Sequence, residues 1–157
     1  MGEGGFGRVF RAAALPSLPG GTGEVAIKKG SSVHSDTDLN DLHREVTLLG
    51  GCSHPHLLPL LGHCLAREAP CLVFPLVRGG SLQSRLHPQG EHWLHLQRLG
   101  FSSPPAPLTW LQRLQVVCQA AEGLQYLHEA QLTKPSIVHR DFKPANILLS
   151  QQGANRP

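Results

Sequence analysis

Apolar and polar positions alternate over Arg8-Val9-Phe10-Arg11-Ala12-Ala13 and again over Glu24-Val25-Ala26-Ile27-Lys28, which predicts two strands. Between them Leu15-Pro16-Ser17-Leu18-Pro19-Gly20-Gly21-Thr22-Gly23 has the composition of a turn. The period then changes. Leu39, Leu42, Val46 and Leu49 recur at helical spacing, with Ser35 or Asp36 as the cap and Gly50-Gly51 as the stop. Glu45 falls three after Leu42 and four before Leu49, so it is expected on the inward side, where a carboxylate needs a cation; the rival is a surface pairing.

Further along, His54–Cys64 reads as a turn and an apolar strand, Ala66–Pro70 as a polar turn, and Cys71–Val77 as the fifth strand. Ser81 caps a short helix through Arg85 or Leu86, and Gly79-Gly80 loosens the link before it. The 87–108 stretch has no regular period. Its Ser102-Ser103-Pro104-Pro105-Ala106-Pro107 run opposes a helix, so an exposed insertion is expected, with Trp93 as a weak partner anchor and His87, His92 and His95 in solvent. Thr109-x-x-Gln112 is a capping box that opens the longest helix. Its stripe of Leu111, Leu114, Val117, Cys118, Ala121, Leu124 and Leu127 runs to about Ala130, roughly 33 Å.

At 157 residues the chain suits one ordinary domain, long enough for a real core. A formal net charge of +3, with no basic run longer than Lys28-Lys29, gives no nucleic-acid footprint. No apolar run approaches the ~20 residues of a membrane span. The glycine-rich motif starts at Gly2, so no signal peptide is expected, and Phe6 stands where a myristoylation motif wants Ser or Thr. Cys52, Cys64, Cys71 and Cys118 form no C-x-x-C pair and sit in apolar segments, so buried reduced thiols in an intracellular protein are expected. Cys52-Ser53-His54-Pro55-His56 lacks the second ligand pair that zinc needs.

Chemistry concentrates in His139-Arg140-Asp141-Phe142-Lys143-Pro144-Ala145-Asn146. A carboxylate, an ammonium and a carboxamide fall within six positions there, ahead of Ile147-Leu148-Leu149. Such a set accepts a proton, neutralises phosphate charge and offers an amide oxygen to a divalent cation, which are the needs of phosphoryl transfer. A polar surface turn is the plainer alternative. Upstream, Gly2-Glu3-Gly4-Gly5-Phe6-Gly7-Arg8-Val9 supplies G-x-G-x-x-G-x-V, whose glycines let backbone N–H groups approach phosphates. A strand follows it rather than a helix, which argues against a dinucleotide-binding fingerprint. Ala26 and Lys28 share one face of the next strand.

The 139–146 string resembles the H-R-D-x-K-x-x-N catalytic loop of eukaryotic protein kinases, and Val25-Ala26-Ile27-Lys28 resembles their V-A-I-K strand. The form L-V-(aromatic)-x-x-x-x-x-G-S-L at Leu72–Leu82 is typical of the receptor-like kinase, Pelle and IRAK group. The resemblance runs from Gly2 to about Ser150. It implies a protein-kinase-like α+β fold. A five-stranded antiparallel small lobe and hinge would occupy 1–78, and a partial large lobe 79–157, with the insertion at 87–108 and the catalytic loop at 139–146.

By that resemblance Asp141 is the base or hydroxyl-orienting group, Lys143 steadies the transferred phosphoryl and Asn146 holds Mg²⁺. Lys28 reaches the phosphates and pairs with Glu45. ATP is lined by Gly2, Glu3, Gly4, Gly5, Phe6, Gly7, Val9, Ala26 and Lys28, with Phe74 as gatekeeper and the Pro75 carbonyl and Val77 N–H on adenine. Lysine two after the aspartate implies Ser/Thr acceptors on a protein substrate, in the cytoplasm or on the cytoplasmic side of a membrane. No Asp-Phe-Gly follows Asn146, so a fragment of a longer active kinase is expected, itself of little activity and poorly soluble because the Thr109 helix is half covered. Two alternatives stay open: a nucleotide-binding pseudokinase or scaffold, and an interaction module using the Trp93 insertion.

Overall fold

The computed structural model describes residues 3, 4, 7–13, 23–30, 32, 35–132 and 134–150. Gly2, Gly5 and Phe6 of the expected nucleotide set lie outside them. The chain divides into two compact units, Met1–Leu76 with Glu129–Ser136, and Val77–His128 with Ile137–Pro157.

The first unit is built on a five-stranded sheet of β1 (Glu3–Gly4), β2 (Gly7–Ala12), β3 (Val25–Lys29), β4 (Gly62–Cys64) and β5 (Cys71–Pro75), in the order β1-β2-β3-β5-β4. Every pairing is antiparallel. Val25, Leu72 and Val73 are buried on the two central strands, as β-branched and leucine side chains on a pleated surface should be. Between β3 and β4 lies α1 (Asp36–Gly50), where Ser35 and Asp38 complete a capping box and Asp36 and Asp38 face the positive helix end. The β4–β5 turn reaches this helix: Arg67 forms an ion pair with Asp36, the Ser32 hydroxyl donates to the Glu68 carbonyl at 3.3 Å, and the Gly30 amide donates to the Pro70 carbonyl at 2.9 Å.

The second unit contains α2 (Leu82–Leu86), α3 (Gly90–Arg98), α4 (Trp110–His128) and a 3₁₀ turn at Pro144–Asn146. Ser81 caps α2 by accepting from the Ser84 amide at 3.1 Å. Thr109 and Gln112 exchange the two bonds of the expected box at the start of α4. Along α4, Gly123 and Leu127 are buried, whereas Trp110, Leu111, Leu114 and Val117 are exposed on one side. No helix among the described residues is long and apolar enough to cross a membrane.

The structure corrects the reading of 87–108. That stretch holds a nine-residue helix, α3, which packs on α2. Its Leu96 is fully buried at 0% exposure, joined by Leu99 and Leu108. The prolines flank the helix at Pro88 and from Pro104 onward, so each breaks the chain only at its own position. His92 and His95 are half-buried rather than in solvent, and Trp93 is half-buried too. A second correction concerns the thiols: Cys64 and Cys118 are exposed and Cys52 and Cys71 intermediate, so none of the four is buried.

Candidate active site

The loop at 139–146 is held from both ends. Before it, the Ile137 amide donates to the Leu127 carbonyl of α4 at 2.8 Å. After it, the Leu82 amide donates to the Ile147 carbonyl and the Leu149 amide to the Gly80 carbonyl, each at 2.8 Å. Gly79 allows that return. A Cβ built on it would stand 2.0 Å from the Leu149 carbonyl oxygen, so Gly79 is a point of close backbone approach, not a loosened link. Gly80 has φ +79°, and its Cβ would meet Leu96 at 2.6 Å.

Within the loop, Asp141, Lys143 and Asn146 converge. Lys143 Nζ sits 2.8 Å from Asp141 Oδ1, and Asn146 Nδ2 donates to Asp141 Oδ2 at 2.9 Å and to its carbonyl at 2.8 Å. The 3₁₀ turn brings Asn146 back toward Asp141, closed by the Asn146 amide donating to the Lys143 carbonyl at 2.9 Å. The Lys143 bond and then the Asn146 bond hold the Asp141 carboxyl below the ordinary carboxylate range against the opposing effect of desolvation, with the Lys143 charge and His139 adding to the depression. The Asp141 amide donates to the His139 carbonyl at 2.8 Å, and the His139 ring stands edge-on to Phe142 at 5.9 Å. Arg140 has φ 60°, the left-handed region, where a non-glycine residue is uncommon and worth noting beside functional groups.

The group set suits a hard divalent cation. Asn146 spends its amide nitrogen on Asp141, which turns its carboxamide oxygen away from that contact, beside a carboxylate with oxygen lone pairs to spare. Oxygen donors of this kind are what Mg²⁺ takes.

In the sheet of the first unit, register and alternation place Val9, Ala26, Lys28 and Phe74 on one face: Val9 opposes Lys28, and Ala26 opposes Phe74. Four expected nucleotide-lining residues therefore share a surface. Glu3 and Gly4 pair with Arg8 and Gly7 in the β1–β2 hairpin. Pro75 ends β5 on the opposite side, across from Val25, and Val77 is half-buried at the start of the second unit.

Glu45 departs from expectation. It is exposed, and it makes no ion pair with Lys28 among the described residues. Val46, the next residue, takes the buried position on α1, leaving Glu45 at the margin of the apolar stripe. Both groups line a cavity of about 380 Å³ together with Asp38, Asp41, Leu42 and Leu72, so the helix leaves an open space where the pair was expected. No cluster of metal-ligating side chains occurs among the described residues, and Cys52, His54 and His56 form none.

A family model described as protein tyrosine and serine/threonine kinase matches residues 1–156. Receptor-like kinase LIP2 of Arabidopsis thaliana is 36% identical over 150 residues, covering 95% of this chain and 23% of that protein. Probable serine/threonine-protein kinase PBL10 from the same plant is 36% identical over 156 residues, covering 97% and 34%. Receptor-like protein kinase ANXUR2, also from Arabidopsis thaliana, is 37% identical over 151 residues, covering 96% and 15%. The chain therefore spans between 15% and 34% of the length of these relatives. With a match over nearly its whole length, the chain belongs to the protein tyrosine and serine/threonine kinase family.

Proposed function

We propose that the chain carries the nucleotide-binding and catalytic-loop machinery of an ATP-dependent protein serine/threonine kinase, acting on a protein hydroxyl in the cytoplasm. The convergence of Lys143 and Asn146 on the Asp141 carboxylate carries this reading. Asp141 would orient the acceptor hydroxyl and take its proton. A carboxylate held ionised by two partners is available for that at neutral pH. Lys143 would leave Asp141 for the transferred phosphoryl oxygens as negative charge gathers there. Asn146 would hold Mg²⁺, which when bound neutralises the phosphate oxygens. Lys28, with Val9, Ala26 and Phe74 on its sheet face, would hold the nucleotide, Glu3, Gly4 and Gly7 would cover its phosphates, and the Pro75 carbonyl and Val77 amide would meet adenine. Glu45 would pair with Lys28 after α1 closes on the cavity they share.

Binding of a fluorescent ATP analogue, with and without Mg²⁺, tests the site. Lys28→Met is expected to abolish binding, and Asn146→Ala to remove the Mg²⁺-dependent part. Equal binding by the native chain and both variants would overturn the assignment. The exposure of Glu45, beside a cavity that it shares with Lys28, favours a second reading, a nucleotide-binding pseudokinase. Phosphotransfer to a Ser- and Thr-containing protein, lost in Asp141→Asn, selects the kinase; nucleotide binding without phosphotransfer selects the pseudokinase.

A further inference from the structure

Two of the four cysteines, seven positions apart in sequence, face each other across a strand pair. Cys64 ends β4 and Cys71 begins β5, and the two are direct partners in the antiparallel register. Directly opposed residues of antiparallel strands project their side chains to the same face, with Cα atoms about 4.5–5.5 Å apart. A disulfide needs Cα atoms about 4.4–6.8 Å apart, so the backbone already satisfies the main requirement. Access is also present. β4 is the edge strand of the sheet and only three residues long, Cys64 is exposed, and Cys71 is partly so. Both thiols are free. Cys52 and Cys118 lie outside any strand and have no cysteine opposed to them.

We propose that Cys64 and Cys71 are an oxidation site that a hydroperoxide closes into a cross-strand disulfide. The exposed Cys64 sulfur attacks the O–O bond and takes one oxygen as a sulfenic acid, while the other oxygen leaves as water or alcohol. The Cys71 sulfur then attacks the Cys64 sulfur, the S–O bond breaks, and the hydroxyl leaves as water with the Cys71 proton. Two thiols lose two electrons and two protons, and the peroxide takes up both. The closed bond would staple the base of the 65–70 turn. That turn holds the β3–α1 connection through Gly30–Pro70 and Ser32–Glu68, and the first turn of α1 through Arg67–Asp36. Oxidation would therefore stiffen the grip on the helix that carries Glu45.

The test treats the native chain with hydrogen peroxide, blocks remaining thiols with N-ethylmaleimide, and digests with trypsin without reduction. Trypsin cuts after Arg67, between the two cysteines, so their peptides stay joined only through a disulfide. The upstream peptide begins after Arg44 and also carries Cys52, so variants assign the bond. The joined peptide is expected in the native chain and in Cys52→Ser and Cys118→Ser, and is lost on reduction and in Cys64→Ser and Cys71→Ser. Persistence in Cys64→Ser with loss in Cys52→Ser would overturn the proposal. So would Cys64 going to sulfinic acid while Cys71 stays open to alkylation.

Discussion

The side-chain amide of Asn146 donates to the carboxylate of Asp141 at 2.9 Å, and Lys143 Nζ reaches the other oxygen of the same carboxylate at 2.8 Å. One acidic group thus organises its loop by receiving from two neighbours at once.

That arrangement has a pH signature. The folded pKa of Asp141 is depressed, so its stabilising contribution is present above the unfolded value of about 3.9 and is lost as pH falls through the folded value. A carboxyl-detected NMR titration should place its midpoint below about 3.9. Lys143→Ala and Asn146→Ala should each move it back upward, and an unmoved midpoint in both variants would refute the coupling.

Gly79→Ala should destabilise by about 1–3 kcal/mol, the usual cost of overpacking, because the added Cβ meets the backbone of Leu149 rather than a side chain that can yield. Gly23→Ala is the control, since no described residue comes within 4 Å of its built Cβ. Thermal melts of the two variants should differ clearly; matching melts would contradict the close approach.

Leu96→Ala should cost about 2–5 kcal/mol as a cavity in a filled core. Leu94→Ala, two residues earlier and 53% exposed, should stay within about 0.5 kcal/mol of the native chain. Urea unfolding midpoints distinguish the two, and equal midpoints would mean that α3 carries no packing.

The exposed side of α4 predicts self-association. Trp110, Leu111, Leu114 and Val117 form a continuous apolar strip in contact with water. Leu111→Gln with Val117→Gln should lower dye binding to exposed apolar surface and raise the soluble concentration, with little change in melting temperature. A large loss of melting temperature would show those side chains to be packed.

Much of this was legible in residue order because the signals were local. Thr109 and Gln112 name their own helix start, and Ser35 with Asp38 does the same for α1. Alternation alone predicted that Ala26 and Lys28 share a face, and the register extends that face to Val9 and Phe74. What escaped depended on partners distant in the chain. Gly79 reads as a hinge until Leu149 passes it. Glu45 reads as inward from Leu42 and Leu49, but one residue of helix is a 100° rotation, and Val46 takes the buried place. In α3, Leu96 is the one buried position among histidines and charges, with Leu99 buried just past the helix end, too few to register as a period. The Cys64–Cys71 opposition needs the hairpin register, which a six-residue turn from 65 to 70 does not set by itself.

Leu96 also changes what a truncation can teach. Excising 88–107 as if it were a dispensable loop would withdraw the one wholly enclosed side chain among the described residues, so any binding lost with it would be confounded by unfolding. Surface chemistry in this region is better interrogated by point changes at Glu91 or Gln97, whose side chains reach water without disturbing the interior.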